Sequence, residues 1–351
     1  MLYTELVAGD ESTAGENRSV SIRDVAAAAG VSVATVSRAL GPNAESVQMR
    51  PETRARVLRT SEELGYRPND LARSLLRQRT SVIGLIVPDI SNAYYAGLVR
   101  GVQDTAAAAG YRVVLCNTDR EAQRLGKHLD TLVESRVDGV VIAGGAGDAS
   151  LDSRAFRQYR TQVVLVGRHS LDGPSVQIDN TAAAERMTEH VLGLGHERVG
   201  FLAGPLASRT VQDRIAGYRK ALAARGIHDE IVLEGQFTEE SGYSGAGELL
   251  SQHQRPTAII CANDRIAVGA LAGATDRGVG VPEDLSVVGF DNVSLSSYLR
   301  PSLTTVDIPT YGIGSSAAGL LLGRLDGDPG NEHVVLPTRL VLRDSCGAPP
   351  A

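Results

Sequence analysis

Cysteine is scarce in this chain: Cys116, Cys261 and Cys346 are the only three in 351 residues, and none stands in a CxxC or Cys/His ligand spacing. An odd, unspaced set excludes a disulfide framework and signals no zinc site, so a reducing cytoplasm is the expected setting. Long apolar runs are also missing, and Met1 to Arg18 carries Glu5, Asp10, Glu11 and Glu16 where an export signal would need a basic flank and an apolar stretch. Neither export nor a membrane is therefore expected. Catalytic signatures are lacking as well. There is no GxSxG, no P-loop and no strand-following GxGxxG, and Gly144-Gly-Ala-Gly147 lacks the Lys and Ser/Thr of a phosphate loop. His169, His190, His196 and His228 have no metal spacing. The reading is of a protein without enzymatic activity, metal or cofactor.

What is present is length and an uneven distribution of charge. A chain of 351 residues with 42% hydrophobic content supports a small domain and a larger domain made of two halves. Its net charge of -6 conceals a basic segment: Ser19 to Thr80 holds ten Arg against six acids, whereas Met1 to Arg18 holds one Arg against four. Phosphate attraction is local, screened within about 8–10 Å, so a basic head on an acidic body suits one nucleic-acid-binding module. A merely solvated charged face would give the same count.

Local patterning sharpens the head. Ser21-Ile-Arg-Asp24 reads as a helix N-cap with an acid three residues on, followed by an Ala-rich helix to Ala29 and a stop at Gly30. Val31 follows as a buried plug, and Ser32 caps a second helix, Val33 to Leu40, whose Val36 and Leu40 share one face. A third helix is predicted from Pro51, with Val57 and Leu64 turned toward the other two. In a helix-turn-helix the second helix enters the major groove. Val33, Ala34 and Arg38 are thus the candidates for base contacts, and Ser32, Thr35 and Ser37 for phosphate contacts.

From Ser81 onward, short β-rich runs alternate with helical stretches. Val82 to Val87, Val113 to Cys116, Gly139 to Ala143 and Val163 to Val166 read as parallel strands, with crossover helices over Ala96 to Ala109 and Arg120 to Glu134. A second series follows, with strands at Val199 to Ala203, Ala258 to Cys261 and Leu285 to Gly289. Its helices are expected at Thr181 to Leu194, Val211 to Arg225 and Ser241 to His253. Two doubly wound lobes would face each other across a cleft at their strand ends, where ligands of such sheets bind.

Ile22-Arg-Asp-Val-Ala-Ala-Ala-Ala-Gly-Val-Ser-Val-Ala-Thr-Val-Ser-Arg-Ala-Leu40 resembles the head of the LacI/GalR repressor family. The likeness continues through Pro51-Glu-Thr-Arg-Ala-Arg-Val57, Leu64-Gly-Tyr-Arg-Pro-Asn69 and Ala72-Arg-Ser-Leu75. In the body it runs through Val137-Asp-Gly-Val-Val-Ile142, Asp179-Asn180, Gly195-His-Glu-Arg-Val199, Ala262-Asn-Asp264, Gly289-Phe-Asp-Asn292 and Pro301-Ser-Leu-Thr-Thr305. Gly41 to Met49 is longer than the usual pattern, and residues 1–18 have no counterpart.

The resemblance implies an all-α three-helix head over 19–67 behind a disordered extension over 1–18. A hinge helix and linker over 68–80 would follow, then a periplasmic-binding-protein-like α/β sensor of two lobes over 81–351. The first lobe would span about 81–167 and 309–336 and the second about 168–306 and 338–351, with crossings near Gly167, Asp307 and Pro337. Leu75 would be the minor-groove wedge, flanked by the basic Arg73 and Arg77; without the family, Leu71, Leu75 and Leu76 read as one apolar helix side. Tyr94, Tyr95, Arg168, Arg214, Phe237, Asn263 and Asp291 would hold a sugar-like effector. Gly167 stands where the family pattern carries an acid. The function implied is a homodimeric, effector-controlled repressor on double-stranded operator DNA. A solute-binding protein and a ligand-independent architectural DNA binder are the rival readings.

Overall fold

The computed structural model describes residues 20–41, 48–66, 79–144, 161–169, 173–328, 330 and 332–350. The chain divides into two compact units between Gln78 and Arg79.

The first unit is built on α1 (Ile22–Ala29), α2 (Val33–Ala39) and α3 (Pro51–Glu63). Asp24 closes the start of α1 by accepting from the Ser21 N–H at 2.8 Å and the Ser21 hydroxyl at 2.7 Å. Gly30 ends it at φ +64, a left-handed conformation cheap only for glycine. Ser32 then caps α2, its hydroxyl accepting from the Thr35 N–H at 3.2 Å, a bond worth about 1 kcal/mol to a helix this short. Val25, Ala26, Ala29, Val36, Ala39 and Val57 form the shared core. Leu64 departs from expectation: it is exposed, because α3 stops at Glu63 and Gly65, at φ +63, turns the chain back so that Tyr66, with its N–H on the Ser61 carbonyl, packs on the core in its place.

The second unit is a pair of doubly wound lobes. The first lobe sheet runs in the order β11-β5-β4-β3-β1-β2, all parallel, from β1 (Val82–Val87), β2 (Arg112–Asn117), β3 (Gly139–Ala143), β4 (Gln162–Val166), β5 (Ser175–Ile178) and β11 (His333–Leu336). The second runs β12-β10-β9-β8-β6-β7, from β6 (Val199–Leu202), β7 (Ile231–Leu233), β8 (Ala258–Cys261), β9 (Ser286–Asp291), β10 (Thr304–Asp307) and β12 (Arg339–Val341). Among these strands only β12 runs antiparallel to its neighbour.

The crossing expected near Gly167 is not there. Gly167, at φ +86, turns the chain back beside β4, and its N–H donates to the Val176 carbonyl at 2.9 Å, so β5 still belongs to the first lobe. The chain leaves that lobe at Asp179, which caps α6 (Asn180–Gly193) by accepting from the Ala182 N–H. It returns between β10 and α10 (Thr310–Leu325) and crosses a last time between β11 and β12.

Glycines set the helix spacing that positions the cleft. α4 (Tyr94–Ala108) and α10 approach so closely that a methyl at Gly101 would collide with the Tyr311 carbonyl, and one at Gly314 with the Leu98 carbonyl. The Tyr94 and Tyr95 end of α4 is thereby fixed against a helix from much later in the chain. α5 (Ala122–Glu134) covers the opposite face of the first sheet through Leu125, Leu129 and Leu132. α7 (Arg209–Ala224), α8 (Glu239–Leu250) and α9 (Asp264–Thr275) flank the second sheet.

Candidate DNA-binding face and ligand cleft

On α2, Val33, Ala34, Ser37 and Arg38 are exposed, as the base and phosphate assignments require. Ser32 and Thr35 share a 2.9 Å hydroxyl–hydroxyl bond, which keeps their side chains at the helix start. Arg38 folds back to donate from Nε to the Ala34 carbonyl at 3.3 Å. Leu75, Arg73 and Arg77 lie outside the described residues.

In the body, the loops that follow β1, β2, β3, β4, β6 and β7, together with the end of β9, converge on one cavity of about 320 Å³ between the lobes. The first lobe contributes Pro88, Asn92, Tyr94, Tyr95, Arg120, Gly144 and Gly167; the second contributes Pro205, Ser208, Thr210, Arg214, Gln236, Phe237 and Asp291. The cleft thus sits where parallel sheets of this winding bind ligands, beyond the carboxyl ends of both sets of strands. Tyr94 and Tyr95 meet edge to face, their ring centroids 5.0 Å apart. Burial pushes the Tyr95 phenol up to about 12 and raises that of Tyr94, so both act as neutral hydroxyls.

The floor on the second lobe is ionic. Arg214 is 5% exposed and donates from Nε to Asn180 Oδ1 at 2.9 Å and from Nη1 to the Ala262 carbonyl. Its guanidinium carbon lies 4.1 Å from the Phe290 ring centroid, and its Nη2 is 3.9 Å from Asp291 Oδ1. Burial holds the Asp291 carboxyl well above the usual range; the Arg214 charge opposes that shift and Asp264 adds to it. Asp264 lies fully buried beneath. It accepts from the Val293 N–H at 2.9 Å and from the Ser296 and Thr305 hydroxyls at 2.6 Å each. Burial still outweighs these bonds and pushes Asp264 up to about 6.

Asp291 and Asn292 both hold positive φ, +116 and +55, at a cost of order 1–3 kcal/mol for such residues. The turn is over-determined by its surroundings. Asn292 donates to Asp307 Oδ1 at 2.8 Å and accepts from Arg343 at 2.6 Å, while Arg339 pairs with Asp307 Oδ2 at 2.9 Å. The cavity floor is therefore tied directly to the strands that lead into the second and out of the third crossing.

Two arginines reach between the lobes at the mouth of the cleft. Arg265 of α9 holds Glu239 through a 2.8 Å bidentate pair and donates to Asp89 of the first lobe at 3.1 Å. In the other direction, Arg120 of the first lobe lies over Phe237 of the second, 5.0 Å from its centroid.

Five of the seven residues assigned to the ligand come together here: Tyr94, Tyr95, Arg214, Phe237 and Asp291. Asn263 and Arg168 do not line this cavity. Asn263 caps α9, accepting from the Ile266 N–H at 2.9 Å, a local bond that consumes its side-chain oxygen. Arg168 pairs with Asp213 at 2.9 Å and faces a separate depression beside His169 and His333. Arg120, Asn92, Ser208 and Gln236 are not singled out by the sequence. All four stand in polar stretches after a strand or at a helix start, the places where an open α/β sheet builds its site.

A ligand-sized cavity between doubly wound lobes, carried on one chain with a capped helix-turn-helix, defines a DNA-binding regulator under small-molecule control. Residues 80–339 match the family described as "Periplasmic binding proteins and sugar binding domain of LacI family", and residues 21–69 match "Bacterial regulatory proteins, lacI family". The chain belongs to the LacI family. It is 36% identical over 334 residues to Catabolite control protein A of Priestia megaterium, covering 93% of this chain and 99% of that one. It is 35% identical over 342 residues to the HTH-type transcriptional repressor CytR of Escherichia coli K12, covering 95% and 98%. Among solved structures it is similar to a lac repressor dimer bound to operator and the anti-inducer ONPF, with a TM-score of 0.83, 27% identity and coverage of 94% and 100%.

Proposed function

We propose that this regulator represses transcription from a pseudo-palindromic operator, and that a sugar-like molecule bound by Tyr94, Tyr95, Arg214, Phe237 and Asp291 sets its operator affinity. The observation that carries this is the buried Arg214–Asp291 floor facing aromatic side chains in the interlobe cavity. It suits a polyhydroxylated ring, whose faces stack on aromatics while its hydroxyls exchange hydrogen bonds with the ionic pair. Val33, Ala34 and Arg38 read base edges in the major groove, and Ser32, Thr35 and Ser37 hold phosphates. Leu75 of each subunit wedges the minor groove at the dyad, supported by Arg73 and Arg77 in a hinge over 68–80. The site of action is the cytoplasm. Val114 and Leu115, exposed on the edge strand β2, supply apolar surface suited to the homodimer.

Lobe closure on the effector repositions the two hinges and changes operator affinity; a coupling of about 1–3 kcal/mol gives a roughly 5–150-fold change. The test selects DNA fragments on the full-length protein and compares their salt-dependent affinity with random duplex. Effector dissociation constants are then measured with and without the selected operator. A palindrome with half-sites about one helical turn apart, and unequal constants, are expected. Equal constants would sink the coupling, and absence of any sequence preference would sink the repressor reading.

A further inference from the structure

Among the described residues three charged side chains line the interlobe cavity, Arg120, Arg214 and Asp291, so its walls carry two guanidiniums against one carboxylate. Neither cavity arginine is hydrogen-bonded directly to a carboxylate. Arg214 reaches Asp291 only at 3.9 Å, and its two closer bonds go to neutral oxygens of Asn180 and Ala262. Arg120 stands 3.8 Å from Asp89, beyond hydrogen-bond reach; that carboxylate accepts from Arg265 at 3.1 Å and from the Ser91 hydroxyl and N–H at 2.6 and 2.9 Å, while Arg265 is itself paired with Glu239. Arg120 is also held at φ +63, next to Asp119 at φ +50, a pair of left-handed residues that direct this loop toward the cleft.

A third positive feature faces the same space. Ser208 and Thr210, at the N-terminus of the sixteen-residue α7, line the cavity, and the Ser208 hydroxyl makes no cap bond to its own helix. A helix start of this length presents unpaired N–H groups and a partial positive charge. The loop leading into it is continuous with Arg120: the Phe237 ring under the guanidinium packs against Gly204, where an added methyl would sit 2.6 Å from the ring. The Tyr95 hydroxyl, on a residue 8% exposed, lines the cavity with no hydrogen-bond partner among the described residues. Gly167 leaves its stretch of wall without a side chain.

We infer that the effector is an anionic sugar, one ring bearing a phosphate or carboxylate, whose charged group is taken by Arg120 and the start of α7. The inference rests on the reading of this cavity as the effector site. A neutral sugar would desolvate Arg120 on closure and supply no anion in return, whereas an anionic one converts that cost into charge-assisted hydrogen bonds. The volume of about 320 Å³ lies at the small end of ligand sites, which suits a single ring with a compact substituent.

The test is calorimetry on the full-length protein with matched probes: glucose, glucuronate and glucose 6-phosphate, then ribose and ribose 5-phosphate. The anionic member of a matched set is expected to bind about ten- to a hundredfold more tightly than its neutral congener. Arg120→Gln should collapse that margin by weakening the anionic member, and Arg120→Lys, which keeps the charge, should restore part of it. A neutral sugar that binds as tightly as its anionic partner, or silence from every anionic probe at millimolar concentration, overturns the inference. If anionic probes bind but Phe237→Ala and Asp291→Ala leave them unaffected, they sit elsewhere. In that case the effector-site reading itself fails.

Discussion

The two lobes share one winding plan and differ at the surfaces they turn toward each other. The first lobe offers neutral phenols, glycine turns at Gly144 and Gly167, and a single arginine on a loop. The second offers Arg214 and Asp291 over a fully buried Asp264, each fixed by hydrogen bonds or by the opposite charge. The contrast teaches that the polar recognition surface is prebuilt on one side of the cleft. The first lobe supplies the two phenols and the half-buried Arg120, so among the described residues the fully buried charge of the cleft, Arg214, Asp264 and Asp291, is confined to the second lobe.

The sharpest way to break that comparison is to remove its centre. Arg214→Ala leaves Asp291 without its cation and is expected to cost roughly 3 kcal/mol in chemical denaturation. Tyr95→Phe, on the facing lobe, should stay within about 0.5 kcal/mol. Similar losses for both would erase the distinction between a wall of buried, bonded charge and a wall of neutral phenols.

A second effect, smaller and confined to the second lobe, appears with pH. The Asp264 carboxyl is raised from 3.8 to about 6 in the folded protein, so between those values the folded chain holds a proton that the unfolded chain has released. Stability therefore falls as pH rises through that window, and Asp291, shifted in the same direction, adds to the trend. Denaturation midpoints for the native chain and Asp264→Asn across the window check this: the variant should show a shallower decline, and an unchanged slope would remove Asp264 as its source.

The smallest effect concerns the bridge between the lobes. Arg265→Ala removes the 3.1 Å contact to Asp89, whose side chain like that of Arg265 is 21% exposed. Solvent screening limits such a pair to about 1 kcal/mol, so effector affinity should weaken by about fivefold with little change in folding stability. A loss as large as that from Arg214→Ala would mean that the mouth, and not the floor, governs binding.

The head is legible in the sequence because its signals are local. Ser21, Gly30, Ser32 and Pro51 each act within one turn of where they stand, and the three helices begin where these residues imply. Leu64 misleads because its apolar spacing continues past the last helical residue. In the body the fully buried strands and the crossover helices are visible, even the four-residue β6 and β8, but β5, β7, β10, β11 and β12 are equally short or shorter, mix polar with apolar residues or lie at sheet edges, and are strands by virtue of long-range pairing. That is why the sequence places the first crossing eleven or twelve residues early, at Gly167 and not after Ile178. Asn263 illustrates a different limit: an Asn at a strand end suits ligand binding and helix capping equally, and only the fold reveals that its oxygen is already used. Arg120 is within reach of a sequence reading. It follows a recognised strand, in the kind of loop that builds such clefts, but no family motif draws attention to it.

The return of the chain to its first lobe also bears on synthesis. When residue 178 has emerged from the ribosome, that lobe still lacks strand β11 and α10, the helix whose Gly314 nests against Leu98. The apolar side of α4 must wait for the whole second lobe to be translated before it is covered. The nascent first lobe is therefore a candidate client for chaperones, and a ribosome stalled before residue 310 would present an incomplete, sticky half-cleft in place of an independent domain.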